Sequence, residues 1–96
     1  MKAAHAFVSG SVQGVAYRQA CRSTARSLDL VGWVRNLVDG RVEVFAQGSD
    51  DGVDKLLDWL WAGPSAARVS GVESDAVAPD ITLTDFFIQP SPATTT

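Results

Sequence analysis

Apolar and polar positions alternate with two different periods along this chain, and the switches between the periods mark out its elements. Ala6, Phe7 and Val8 form a short apolar run that reads as a strand. The period then lengthens. Tyr17, Cys21, Ala25 and Leu28 fall at i, i+4, i+8 and i+11, one apolar stripe of a helix predicted over residues 19–28. Residues 31–37 and 41–47 return to strand patterning, joined by a turn that contains Asp39-Gly40. In the second of these, Val42, Val44 and Ala46 alternate with Glu43, Phe45 and Gln47, so the valine face is expected to be the buried one. If Val34 shares that face, Asn36 shares it too and emerges at the strand's end on the helix side of the sheet. Ser49 is a good N-cap, and Asp50 and Asp51 suit the positive end of a helix dipole. Val53, Leu56, Leu57 and Leu60 then repeat at i, i+3, i+4 and i+7 until Gly63-Pro64 stops the helix. Of the two nearby tryptophans, Trp59 is the expected core residue and Trp61 is not. Residues 68–73 and 84–89 supply the remaining strand material, with Phe86 and Ile88 inward. Strand, helix, strand, strand, helix, strand predicts an α+β sandwich with both helices on one face of an antiparallel sheet.

Between the first strand and the first helix lies Gly10-Ser11-Val12-Gln13-Gly14-Val15-Ala16-Tyr17-Arg18. Its two glycines let the backbone close around a small ligand without Cβ clashes. A loop feeding a helix N-terminus presents unpaired N–H groups and the positive end of the dipole. That combination favours an anion such as phosphate, and Arg18 adds a planar, permanently charged fork in the first turn. The same residues could equally be a glycine-bearing turn followed by a surface arginine, since Gly-x-x-x-Gly alone is a weak signal.

A second stretch changes that balance. Gly32-Trp33-Val34-Arg35-Asn36-Leu37-Val38-Asp39-Gly40-Arg41-Val42-Glu43 stands where the hairpin falls. With both stretches in view, the chain closely resembles the acylphosphatase family. That family's first motif is Gly-x-Val-Gln-Gly-Val-x-Phe-Arg, from which only Tyr17 departs, an aromatic for an aromatic. Its second, Gly-Trp-Val-Arg-Asn followed by Asp-Gly-x-Val and the later Gly48, is matched throughout, and the likeness runs on through Trp59-Leu60 and Gly63-Pro64 to Phe86-x-Ile88.

The resemblance implies a ferredoxin-like α/β sandwich over residues 1–89, with an antiparallel sheet of four or five strands in the order 4-1-3-2. Which of the last two strand segments lies beside the first stays open. It implies hydrolysis of acyl phosphates to a carboxylate and inorganic phosphate, without metal or cofactor. Carried over residue by residue, Arg18 and the backbone N–H groups of Gln13, Gly14, Val15, Ala16, Tyr17 and Arg18 would hold the phosphoryl oxygens. The side-chain amide of Asn36 would orient the attacking water; without the first motif, Asn36 would read as a turn former capping the hairpin. One departure stands out. The family usually has glycine where this chain has Asp29, at a left-handed position that ends the first helix; Asp tolerates that conformation better than most residues, at some cost.

Composition narrows the alternatives. Ninety-six residues make one domain with a single core, and a net charge of −3 with a pI near 4.8 argues against a nucleic-acid-binding surface. An anionic substrate must then be attracted locally, by Arg18 and its neighbours. Arg22 and Arg26 continue the i+4 row and read as a solvated face, with Arg22 able to extend the field. The single cysteine, Cys21, excludes an internal disulfide and fits a reducing compartment; on the apolar stripe it reads as a small buried hydrophobe. No apolar run approaches a membrane span and residues 1–5 do not lead into a signal-peptide core, so a cytoplasmic monomer is expected, with a disordered tail at residues 90–96.

The chemistry left is sparse. His5 sits at the wrong end of its strand for the loop, and no Cys/His or Asp/Glu set has metal-ligand spacing. No serine has an obvious histidine partner, and the loop lacks the lysine and Ser/Thr of a nucleotide-binding Walker motif. An anion cradle, Arg18 and Asn36 suit a reaction that needs only positioning and charge neutralisation, such as phosphoryl transfer from an acyl phosphate to water. The departing carboxylate, with a pKa of about 4, needs no general acid. The rival is a non-catalytic module on the same fold. An RNA-binding version would show paired aromatics on the central strands, where the sequence offers Phe45, and a basic surface. Use as one domain of a larger carbamoyl-transfer protein would need a longer chain than this one.

Overall fold

The structure, a computed structural model, describes residues 1–92. Its elements follow as β1 (Lys2–Ser11), α1 (Tyr17–Ser27), β2 (Val31–Asn36), β3 (Val42–Gly48), α2 (Asp50–Ala62), β4 (Arg68–Ala76) and β5 (Phe86–Ile88). Residues 90–92 form neither helix nor strand, and residues 93–96 of the expected tail lie outside the described residues. One sheet holds all five strands in the order β4-β1-β3-β2-β5. It is a ferredoxin-like α+β sandwich, with the 4-1-3-2 order intact and a fifth strand added at the β2 edge.

The sheet is mixed, not purely antiparallel as expected, because β5 runs parallel to β2. The path of the chain gives the reason. β4 pairs with β1 and ends where β1 begins, Ala76 standing opposite Ala4. Residues 77–85 cross that same end of the sheet, tied by Val77 N–H to the Ala3 carbonyl at 3.1 Å and by the Gln47 side chain, which bonds the Asp80 N–H at 2.7 Å and carbonyl at 2.9 Å. β5 therefore starts from the end where β2 also starts, and runs beside it.

Both helices cover one face. Val8, Val34, Val42, Val44 and Ala46 from the sheet meet Tyr17, Cys21 and Ala25 of α1 and Val53, Leu56 and Leu60 of α2 in one buried cluster. Trp59 is partly buried against it, whereas Trp61 stands outside, as the helical period requires. Cys21 is fully buried, and burial pushes its thiol up to about 12, which leaves no thiolate for nucleophilic work. Ser49 caps α2, its hydroxyl accepting from Gly52 N–H at 3.0 Å.

Two expectations about β3 need correction. The valine face is buried as expected, but Glu43 and Gln47 on the other face are buried too. β3 lies between β1 and β2, and its neighbours supply partners for what they cover. His5 Nε2 and Arg35 Nε each stand 2.6 Å from one Glu43 carboxylate oxygen, and the 77–85 crossing closes over Gln47. The open face also carries more aromatic surface than Phe45. Trp33 stacks on Phe45 with ring centres 6.1 Å apart, and Phe7 packs against His5 at 4.8 Å. Glu73 and Asp75 sit beside Phe7 and His5 in the register, while Arg35 lies over the Trp33 ring at 5.1 Å and Arg41 over the Phe7 ring at 4.6 Å, so this aromatic face carries charges of both signs.

Asp29 ends α1 with φ of 57°, in the left-handed region. Leu30 N–H reaches the Ala25 carbonyl at 3.0 Å and Asp29 N–H the Arg26 carbonyl at 3.1 Å, the paired bonds of a Schellman motif. A left-handed residue costs about 1–2 kcal/mol, less for Asp, and glycine's extra unfolded freedom offsets part of any gain. Asp29→Gly is expected to stabilise the protein by about 0.5–1 kcal/mol, or about 2–8 °C in Tm, with turnover unchanged. A thermal melt showing no rise would mean that Asp29 makes a compensating interaction.

Candidate active site

The loop between β1 and α1 has an unusual backbone. Gly14 takes φ of 75° and Ala16, the residue preceding the helix, takes 62°. Alternating hands in successive residues turn neighbouring N–H groups toward a common point, the geometry of an anion nest. At Gly14 a Cβ would meet nothing within 4 Å, so its hydrogen-only side chain answers the positive φ and not a clash.

The two helix N-termini differ in how they are closed. α2 has the Ser49 cap and acidic residues at Asp50 and Asp51. α1 has no side-chain cap and no acidic residue in its first turn. Its first internal bond is Ala20 N–H to the Ala16 carbonyl at 3.1 Å, so the N–H groups of Tyr17, Arg18 and Gln19 have no acceptor within the helix. Arg18 projects from that turn. Lys2, Arg26, Arg35, Arg41 and Lys55 are all in ion pairs; Arg18, Arg22 and Arg68 make none among the described residues, and of these three Arg18 is the one in the cleft wall.

A cleft of about 320 Å³ opens at this helix end, lined by Val12, Gly14, Ala16, Tyr17, Arg18, Gln19, Asn36 and Ile88. Asn36 reaches it as the residue period requires. Val34 is buried beneath the helices, and Asn36, two residues on, is the last residue of β2. Its Oδ1 is buried with no hydrogen-bond partner among the described residues. An orphaned buried acceptor costs about 1–3 kcal/mol, and this one belongs to a residue of the cleft wall.

Of the residues expected to build the site, Gly14, Ala16, Tyr17, Arg18 and Asn36 are therefore together in one cleft. Gln13 and Val15 do not line it. Val15 is partly buried against the core, and the Gln13 side chain turns to the β2–β3 hairpin. Arg22 is not in the cleft wall, and Arg26 instead pairs with Asp85 at 3.1 Å. Tyr17 contributes its ring. Its hydroxyl donates to the Leu60 carbonyl at 2.6 Å, and burial raises its pKa well above the ordinary phenol value, so it has no acid–base role. That bond to the last turn of α2 also accounts for the hydroxyl at a position where the family motif has phenylalanine. Val12, Gln19 and Ile88 are additions. Ile88 was legible as an inward residue, but only the pairing of β5 with β2 carries it to Asn36. Among the described residues, no group of three or more His, Cys, Asp or Glu side chains could hold a metal ion.

A cradle of free N–H groups, an arginine without an ion pair and an unpartnered amide oxygen meet in one cleft, a site suited to an anion such as a phosphoryl group on a small α+β protein. The sequence profile of the acylphosphatase family matches residues 4–88. An acylphosphatase of Acaryochloris marina is 59% identical over 70 residues, 73% of this chain and 75% of that relative. One from Methylococcus capsulatus is 47% identical over 88 residues, 92% of this chain and 96% of the relative. The solved structure of an acylphosphatase from Coxiella burnetii superposes with a TM-score of 0.86 at 42% identity, covering 92% of both chains. The chain belongs to the acylphosphatase family, whose reaction is hydrolysis of the carboxyl–phosphate bond of acyl phosphates.

Proposed function

We propose that Arg18 and, within the 13–18 loop, the N–H groups of the cleft-lining Gly14, Ala16, Tyr17 and Arg18 hold the phosphoryl oxygens while the Asn36 amide orients a water for in-line attack on phosphorus. The observation that carries this reading is the meeting, in one cleft, of the uncapped α1 terminus bearing Arg18 with the unpartnered Oδ1 of Asn36. As an acceptor, Oδ1 takes a hydrogen from the water and leaves an oxygen lone pair free to point at phosphorus. The attack lengthens the bond to the leaving oxygen and shifts negative charge onto the carboxylate. A carboxylate is stable as the anion, so no side chain has to protonate it. The water's proton passes to a phosphate oxygen of the substrate, since the cleft offers no protein base. Arg18 and the helix end offset the charge on the equatorial oxygens throughout.

On this reading the enzyme is a cytoplasmic monomer acting on a small acyl phosphate, without metal, cofactor, nucleic acid or membrane partner. The acidic pI supports the absence of a nucleic-acid partner, and no described helix is long and apolar enough to cross a membrane.

The test is an assay of purified protein in chelator against acetyl, benzoyl and carbamoyl phosphate, with ATP and an alkyl phosphomonoester as controls. The acyl phosphates should be hydrolysed, and inorganic phosphate should inhibit them competitively. The phosphomonoester should not react, because its alkoxide leaving group needs a proton that no residue is placed to give. A strict requirement for added magnesium or zinc would overturn the mechanism.

A further inference from the structure

The two catalytic parts come from separate segments, the 13–18 loop and the end of β2, and one side chain joins them. Gln13 Nε2 donates to the Leu37 carbonyl at 2.8 Å and to the Arg41 carbonyl at 2.9 Å. Both acceptors are carbonyls, so the amide nitrogen must be the atom that faces them. Neither carbonyl depends on Gln13. Leu37 N–H already donates to the Arg41 carbonyl at 2.8 Å, and Gly40 N–H to the Leu37 carbonyl at 3.2 Å. The hairpin closes on itself without the glutamine. What the Gln13 amide adds is a tie across 24 and 28 residues of sequence.

The two ends of that tie matter. Leu37 directly follows Asn36, and Gln13 directly precedes Gly14, where the cradle begins. We propose, on the roles assigned above to the loop and Asn36, that the Gln13 side chain is a positioning residue that sets the spacing between the bound phosphoryl group and the water on Asn36. The loop needs such a tie because Gly14 is exposed and meets nothing within 4 Å at its Cβ position. The loop and Arg18 form one continuous segment, so they can still close on phosphate without it. The water on Asn36 would then be out of line.

Gln13→Met keeps the length of the side chain and removes the donors. Gln13→Glu keeps the shape and sets a carboxylate against two carbonyls. Both should fold, bind inorganic phosphate within about threefold of the parent protein, and lose about 10–100-fold in kcat, the scale of a misplacement near 1 Å. The glutamate variant should lose at least as much as the methionine variant. The deciding measurement is a double-mutant cycle: in an Asn36→Ala background, Gln13→Met should lower kcat no further. A full additive loss in the double variant, parent kcat in a folded single variant, or failure of both variants to fold would each overturn the proposal. Parent kcat in Asn36→Ala alone would overturn the role of Asn36 itself, and this proposal with it, so the two failures are told apart.

Discussion

Arg18→Ala is expected to lower kcat/KM by about 10³-fold or more, the range seen when an arginine that neutralises a transferring phosphoryl group is removed. The charge it offsets is present in the bound substrate and grows toward the transition state, so binding and turnover should both suffer. KM should rise, inorganic phosphate should inhibit far less, and kcat should fall. Arg18→Lys separates charge from geometry. Lysine keeps one positive charge but loses the planar fork, and should recover only a small part of the activity if two oxygens are held at once. Near-parent activity in Arg18→Lys would mean that the field alone matters. No other described cation in the cleft wall could substitute, since Arg22 is outside it and Arg26 is held by Asp85.

Asn36→Ala should separate the steps differently. On the proposed mechanism the amide touches the water and not the phosphoryl group, so KM and phosphate affinity should change little while kcat falls. Loss of one preorganised polar group at a comparable site costs about 10²–10³ in rate, or roughly 3–4 kcal/mol. The substitution removes an acceptor that is buried and unpartnered, so stability should hold or rise slightly. Phosphate binding measured on the folded variant decides the case. If affinity collapses along with turnover, Asn36 is a binding or structural residue and the water-orienting role is wrong.

The chain itself determined the parts whose physics is local. Hydrophobic period named the inward faces of both helices and put Asn36 on the same side as Val34, because a strand's side chains alternate regardless of what surrounds it. Ser49 was legible at its helix end because capping is set within a few residues, whereas the left-handed position of Asp29 came from the family resemblance. The loop and Arg18 could be read as an anion site from glycine spacing and charge, and the two motifs together pointed to one reaction. Everything that depends on which distant strands meet had to wait for the tertiary structure. Burial of Glu43 follows from His5 and Arg35 on the neighbouring strands, and burial of Gln47 from the 77–85 crossing. Ile88 enters the cleft only because β4 takes the edge beside β1 and leaves β5 to run parallel to β2. The Gln13 tie is of the same kind. Its two acceptors are backbone carbonyls, which every residue carries, so no side-chain pattern could announce which of them a glutamine would find.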